Sequence, residues 1–260
     1  MDSLKNKVVF ITGASSGIGE ALACEYSKNG ANIILLARRF DLISSLAEKL
    51  SKKYQKCIAI KCDVTHDGDL EKAVFEGIKN FGKIDIVVAN AGFGRPGKLE
   101  DLNLNDYKEQ FETNVFGVLR TIYATLAELK KSKGSVCIMG SVNGIVSLFE
   151  GTSAYTMSKF ALRGLIQPLS LELSHNNISV IHVMPGFVKT EFDKKYEKEK
   201  KQKYDWLKIS AEEAALLIIK AISNKNLEVV LTKHGKIAVL IENYIPFKFK
   251  KFINSLISTK

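Results

Sequence analysis

Lys7-Val8-Val9-Phe10-Ile11-Thr12-Gly13-Ala14-Ser15-Ser16-Gly17-Ile18-Gly19 decides the fold. Lys7 to Thr12 is a continuous apolar run rich in β-branched residues, the pattern of a strand buried on both faces of a parallel sheet. Three glycines follow within Thr12 to Gly19, and Glu20 to Asn29 carries a helical pattern that stops at Gly30. Strand, glycine-rich turn and helix in this order let the backbone approach a pyrophosphate at a helix N-terminus. Free N–H groups and the positive end of the helix dipole meet it there. A glycine turn alone could equally be a tight connection; its place after a first strand and before a helix favours dinucleotide binding.

The alternation continues outward from that unit. Strands are expected at Asn32–Ala37, Cys57–Cys62, Ile84–Ala89, Ser135–Met139, Ile178–Met184 and Leu227–Thr232. Helices are expected at Leu42–Lys53, Asp69–Asn80, Asn105–Lys131, Ala154–His175 and Ala211–Ser223, the last behind a capping box of Ser210 and Glu213. Strands alternating with helices argue an α/β fold with a doubly wound parallel sheet. No repeat, linker or low-complexity tract interrupts it, so residues 1–260 read as a single dinucleotide-binding and catalytic domain.

The residues that could carry chemistry lie at the carboxyl ends of these strands, where α/β sheets place their ligands. Arg38 and Arg39 stand about 20 residues past the glycine turn, where a carboxylate would take a ribose hydroxyl and an arginine a 2′-phosphate. They favour NADP(H) over NAD(H), the alternative being two surface arginines at a strand end. Asp41 reads as the cap of the following helix. Asp63, followed by Val64, is either a ligand contact or a capping or turn residue. Asn90-Ala91-Gly92 ends the fourth strand. Asn114 lies inside a long helical pattern, which suggests a local hydrogen-bonding task or simple exposure. Ser141 follows the fifth strand. Tyr155 and Lys159 are four apart, which on a helix places both on one face with Cβ atoms about 5–6 Å apart. An ammonium so placed favours phenolate and draws the phenol down from about 10 toward neutrality, making Tyr155 a general acid/base. The pair alone equally describes a solvated helix face. His182, within an apolar strand, reads as a core histidine.

Composition bounds the rest. A share of 46% hydrophobic and 25% charged residues is that of an ordinary globular protein, so the +10 net charge reflects lysines spread through the chain, with no recognition module for nucleic acid. Cys24, Cys57, Cys62 and Cys137 lack paired metal spacing, and no histidine spacing suggests a metal, so none is expected. Reduced thiols, the run of Met1–Lys7 straight into a strand, and no apolar stretch of spanning length make the cytoplasm the expected location.

Taken together, Thr12-Gly13-x-x-x-Gly17-x-Gly19, Asp63, Asn90-Ala91-Gly92, Asn114, Ser141, Tyr155-x-x-x-Lys159 and Pro185-Gly186 with Thr190 resemble the short-chain dehydrogenase/reductase family over about residues 5 to 235. Ala89 departs from it where many members have a second asparagine. The resemblance implies a Rossmann-type sheet of seven strands in the order 3-2-1-4-5-6-7 with helices on both faces, and a carbonyl/alcohol redox reaction. It implies Tyr155 as general acid, Lys159 lowering its pKa and holding the nicotinamide ribose, Ser141 bonding the substrate oxygen, and Asn114 supporting a water relay to Lys159. It implies cofactor contacts from Gly13, Ser15, Ser16, Gly17, Ile18, Gly19, Arg38, Arg39, Asp63, Val64, Asn90, Ala91, Gly92, Tyr155, Lys159, Pro185, Gly186, Val188 and Thr190. A homodimer or homotetramer built on the two long helices is implied as well.

Two segments stay open between readings. Residues 191–209 are strongly charged and weakly periodic, a substrate lid or a solvated loop. Residues 236–260 are apolar and basic, suiting peripheral contact with an anionic membrane, docking on the protein itself, or docking on another subunit. Phe93, Val142, Leu148, Phe149 and Phe187 suggest a hydrophobic substrate, or simply packed loops. The competing function is a catalytically silent dinucleotide-binding regulator, against which the intact Asn114, Ser141, Tyr155 and Lys159 set argues.

Overall fold

The computed structural model describes residues 4–146, 150–191 and 205–244. Its strands are β1 (Val8–Thr12), β2 (Asn32–Ala37), β3 (Cys57–Lys61), β4 (Ile86–Ala89), β5 (Ser135–Met139), β6 (Ser179–Met184) and β7 (Glu228–Val230). They pair in the order β3-β2-β1-β4-β5-β6-β7, every neighbouring pair parallel. The helices are α1 (Gly17–Lys28), α2 (Phe40–Lys53), α3 (Asp69–Phe81), α4 (Leu104–Phe111), α5 (Gly117–Ser132), α6 (Ser153–Ser174), α7 (Ala211–Ser223) and α8 (Lys233–Tyr244).

Alternate side chains of each strand feed two cores. Val9 and Ile11 pack with Leu22 and Tyr26 of α1, Ile43 and Leu46 of α2, and Ile218 and Ile222 of α7. Val8 and Phe10 point the other way, onto Leu70 of α3, Val118 and Ile122 of α5, and Leu162 and Ile166 of α6. Every residue of β1 is therefore buried, which is why its sequence has no polar alternation. Burying such a Val, Ile or Phe side chain contributes about 1.5–3 kcal/mol each. The central strand is thus anchored on both faces, and both its neighbours, β2 and β4, are reached by separate crossovers. That reversal of strand order opens a crevice at the carboxyl edge between β1 and β4.

Several boundaries shift by one or two residues from the sequence reading, and three differences have a local cause. The expected helix Asn105–Lys131 is broken by a π-helical turn at Glu112–Phe116, closed by the Gly117 N–H donating to the Glu112 carbonyl. The wider turn inserts one residue into the helical register, and Asn114 is turned fully inward. Asp41 does not cap α2; the cap position belongs to Arg39, and Asp41 falls in the first turn, where its charge still complements the helix dipole. β7 stops at Val230 because Thr232 turns the chain into α8, its hydroxyl accepting from the Gly235 N–H at 3.3 Å.

Candidate active site

The glycine turn is built against the turn that follows β4. Thr12 Oγ1 accepts from the N–H groups of Asn90 and Ala91, both at 3.0 Å, and Asn90 Nδ2 returns bonds to the carbonyls of Thr12 (2.9 Å) and Gly13 (3.1 Å). This contact is so close that a Cβ on Gly13 would lie 2.8 Å from the Ala91 Cα, and one on Gly19 2.4 Å from the Gly13 carbonyl oxygen. Ile18 packs its side chain on the core. The Ser16 side chain does not cap α1. The first-turn N–H groups of that helix are therefore left for another acceptor.

Around this turn gather the groups expected to take a ribose or phosphate. Arg39 donates to Ser15 Oγ (3.1 and 3.0 Å), to Ser16 Oγ (2.6 Å) and to Glu191 Oε2 (3.1 Å). Arg38 Nη1 lies 3.8 Å from Asp63 Oδ2. Asp63 Oδ1 accepts from the Thr65 N–H (3.0 Å) and hydroxyl (2.8 Å), the turn role left open by the sequence. Partial burial works to raise the Asp63 carboxyl, but the Thr65 hydrogen bonds and the Arg38 charge outweigh it, leaving the group below its usual range. Val64 is buried against Gly117 at the end of the π turn. Uncapped helix donors, two serine hydroxyls and two guanidinium groups on one edge fit the phosphates of a dinucleotide.

The four candidate catalytic residues come from three elements. Tyr155 and Lys159 lie one turn apart on α6, with Lys159 Nζ 5.6 Å from the centroid of the Tyr155 ring. Lys159 is 6% exposed, and its Nζ donates to the Met139 carbonyl at 2.7 Å, two residues before Ser141. Burial lowers its ammonium from 10.5 to about 8. Tyr155 is half-buried. Ser141 begins a short 3-10 turn, Val142–Gly144, where its Oγ accepts from the Asn143 N–H at 3.1 Å.

Asn114 binds the other side of this cluster together. Its Oδ1 accepts from the Phe93 N–H (3.0 Å), and its Nδ2 donates to the Phe93 carbonyl (2.9 Å) and to Ser158 Oγ (3.2 Å). Ser158 Oγ in turn donates to the Tyr155 carbonyl at 2.7 Å. The buried asparagine thus ties the turn after β4 to the turn of α6 that carries Tyr155, the local task its position suggested.

After β6, Pro185 to Thr190 completes the rim. The Val142 N–H donates to the Pro185 carbonyl at 2.9 Å, joining this turn to the Ser141 loop. Val188 is buried and bridges to Ile209, and Thr190 packs on Gly17, where a Cβ would meet its Cγ2 at 3.2 Å. The turn is held from below by His234, whose role no spacing in the sequence announces. His182 is a core histidine as expected, its Nδ1 3.2 Å from Glu228 Oε1, and burial, against the pull of Glu228, brings it below the ordinary histidine value. A cavity of about 380 Å³ opens beside the N-terminus of α6, lined by Gly97, Lys98, Leu99, Glu150, Gly151 and Ser153. Of the residues expected to line a pocket, Leu148 and Phe149 lie outside the described residues, as do residues 192–204 of the expected lid and 245–260 of the tail.

Residues 7–201 match the family described as short chain dehydrogenase. An oxidoreductase UcpA of Salmonella typhimurium is 38% identical over 191 residues, covering 73% of this chain and 72% of that protein. The 11-beta-hydroxysteroid dehydrogenase-like 2 of Arabidopsis thaliana is 33% identical over 247 residues, 94% of this chain and 80% of that one. Among solved structures, an alcohol dehydrogenase from the archaeon Thermococcus sibiricus, complexed with 5-hydroxy-NADP, superposes with a TM-score of 0.77 at 30% identity, covering 87% and 96% of the two chains. A Burkholderia phymatum short-chain dehydrogenase/reductase in complex with NAD gives 0.83 at 21% identity over 93% and 94%, a likeness of fold.

Proposed function

This chain belongs to the short-chain dehydrogenase/reductase family, and we propose that it is an NADP(H)-dependent member that interconverts a hydrophobic ketone or aldehyde and the corresponding alcohol. The observation that carries this reading is the Tyr155–Lys159 pair, with a half-buried phenol presented over a buried ammonium that titrates near 8. Bound at the glycine turn, the nicotinamide dinucleotide supplies or removes the hydride. Gly13, Ser15, Ser16, Gly17, Ile18 and Gly19 would hold its pyrophosphate, Arg38 and Arg39 its 2′-phosphate, Asp63 and Val64 its adenine side, and Asn90, Ala91, Gly92, Pro185, Gly186, Val188 and Thr190 its nicotinamide side.

The chain's own residues then manage the proton. Tyr155 Oη protonates the substrate oxygen as negative charge develops there, and Ser141 Oγ donates a second hydrogen bond to the same oxygen. Such donors favour the transition state over the ground state. Lys159 keeps its positive charge beside the phenol at neutral pH, which stabilises the phenolate left after transfer. Asn114 holds the two turns that set this geometry and supports the refilling of the Tyr155 proton through Lys159.

Arg39 on the Ser15 and Ser16 hydroxyls supports the NADP(H) preference, because a 2′-phosphate would find hydroxyl and guanidinium donors in one place. Titrating the purified protein with NADPH and with NADH by nicotinamide fluorescence tests this. Much tighter NADPH binding is expected; equal binding would make the arginines surface residues, and binding of neither would favour the silent regulator.

The proposal takes residues 1–260 as a single domain with a lid at 191–209, acting on small molecules in the cytoplasm. Tyr123, Met157, Phe160 and Leu171 leave apolar surface exposed on α5 and α6, which supports a homodimer or homotetramer. Ile237, Leu240, Ile241 and Tyr244 form an exposed stripe on α8 at helical spacing, which supports peripheral membrane contact by the tail. No described helix is long and apolar enough to cross a membrane. Deleting residues 244–260 should release the protein from anionic vesicles in a sedimentation assay, and unchanged binding would discard the membrane contact.

A further inference from the structure

His234 lies outside every candidate set above, yet its imidazole meets the backbone of the Pro185–Thr190 turn. The Phe187 N–H donates to His234 Nε2 at 3.1 Å, and the two rings stack with centroids 5.1 Å apart and planes 22° from parallel. A Cβ on Gly186 would fall 2.5 Å from His234 Nε2 and 2.3 Å from Thr232 Oγ1, so the imidazole and the buried threonine lie directly against the turn's backbone. On the following turns of α8, Ala238 and Val239 pack on Val142, Ile145, Val146 and Met184. The start of α8 therefore braces both the Ser141 loop and the turn after β6.

A backbone N–H can only donate, so Nε2 must accept, and the ring must be neutral with its proton on Nδ1. A protonated imidazole would set two donors against each other at 3.1 Å. Partial burial already lowers the ring's affinity for a proton. The charged residues carried by the segments around it are Lys189 on the turn, Lys233 and Lys236 beside it on its own helix and Glu242 farther along that helix, while residues 142–146 carry none. Thr232 Oγ1 lies 3.2 Å from the same Nε2 and accepts from the Gly235 N–H, so its hydroxyl proton can be donated to the unprotonated ring nitrogen.

We propose that His234 is a positioning residue whose neutral imidazole holds the Pro185–Thr190 turn in the shape that receives the nicotinamide end of the cofactor, and whose protonation releases it. The proposal rests on the reading of that turn as a cofactor contact. It makes cofactor affinity fall in acid through a residue that touches neither substrate nor cofactor.

Two substitutions separate the parts of the side chain. His234→Phe keeps a stacking ring and removes the acceptor; His234→Gln supplies an amide oxygen as acceptor that does not titrate. NADPH and NADH affinities are measured by fluorescence from about pH 8 down to about pH 5, around the ordinary histidine range near 6.5. Both cofactors are needed because a 2′-phosphate titrates near pH 6 itself and NADH lacks one. Thermal melts show that each variant is folded, and His234→Gln decides the matter if His234→Phe is not. The expected result is that His234→Phe weakens both cofactors about tenfold at about pH 7.5, the effect of removing the ring acceptor from the part-buried Phe187 N–H. His234→Gln should stay near wild type there and lose the acid limb for NADH. Wild-type affinity in His234→Phe, or a wild-type acid limb for NADH in His234→Gln, overturns the proposal while leaving the cofactor reading intact. A wild-type protein that binds neither dinucleotide overturns both.

Discussion

Replacing Lys159 by methionine should make the protein inactive and, at neutral pH, more stable. The ammonium is 6% exposed, and burial moves it from 10.5 to about 8. In the unfolded chain the same group holds its proton up to 10.5, so between 8 and 10.5 the unfolded state binds more protons than the folded one. Stability therefore rises with pH across that window, and below 8 the fold carries the full cost of a buried charge. The interval from about 8 to 10.5 corresponds to about 3 kcal/mol. Methionine fills a similar volume without a charge but leaves the Met139 carbonyl without its 2.7 Å donor, which costs about 1 kcal/mol. Lys159→Met should then gain about 2 kcal/mol in urea unfolding at about pH 7, and the gain should vanish as the pH rises through 8 to 10.5. Turnover should fall by about 10² or more at every pH, since the charge beside Tyr155 is gone. A variant less stable than wild type at about pH 7, or a gap that does not change with pH, would refute the reasoning, because both outcomes mean that the buried ammonium is not held at a cost.

Tyr155→Phe should lower kcat by about 10²–10⁴ while leaving NADPH affinity within a few-fold, as read by initial rates and fluorescence titration. Arg39→Ala should weaken NADPH binding by about 10–100-fold and leave NADH binding nearly unchanged, because it removes charge-assisted donors that only a 2′-phosphate would use. Asp85→Asn should cost about 1–3 kcal/mol at neutral pH, since the buried carboxylate takes the Val8 N–H at 2.9 Å and the ammonium groups of Lys7 and Lys83. Burial works to raise that carboxyl, but these bonds bring it below 3.8, so its contribution is complete above 3.8 and disappears as pH falls through the folded value; the variant's deficit should shrink over the same acid range in melts.

Much of the rim could be read from local pattern. Lys7 to Gly30 states strand, turn and helix in one stretch, because burial on both faces removes polar residues from a central strand and a turn packed this closely on its neighbours needs glycine. The Tyr155–Lys159 spacing was legible for the same reason, since it depends on distance along one element. Asn114 was legible as an oddity, but its cause was not. The π turn at Glu112–Phe116 arises because Asn114 is drawn inward to the Phe93 backbone, a partner 21 residues away, and helical periodicity carries no record of that. The strand order itself was implied by resemblance to a family, not by any residue.

The sequence by itself determined which residues form strands and helices, which faces are apolar, and which side chains stand at strand ends, since these follow from periods of two and 3.6 residues along a single element. Only the tertiary structure decided which ends are neighbours. Parallel pairing brings the turn after β4 onto the glycine turn across 78 residues through Thr12 and Asn90, and the start of α8 under Phe187 across 47 residues through His234. Those contacts depend on where each crossover lays its strand in the sheet, and the energy that places it is spread over whole buried faces. No short pattern can encode a partner whose position is set by the packing of every element between them.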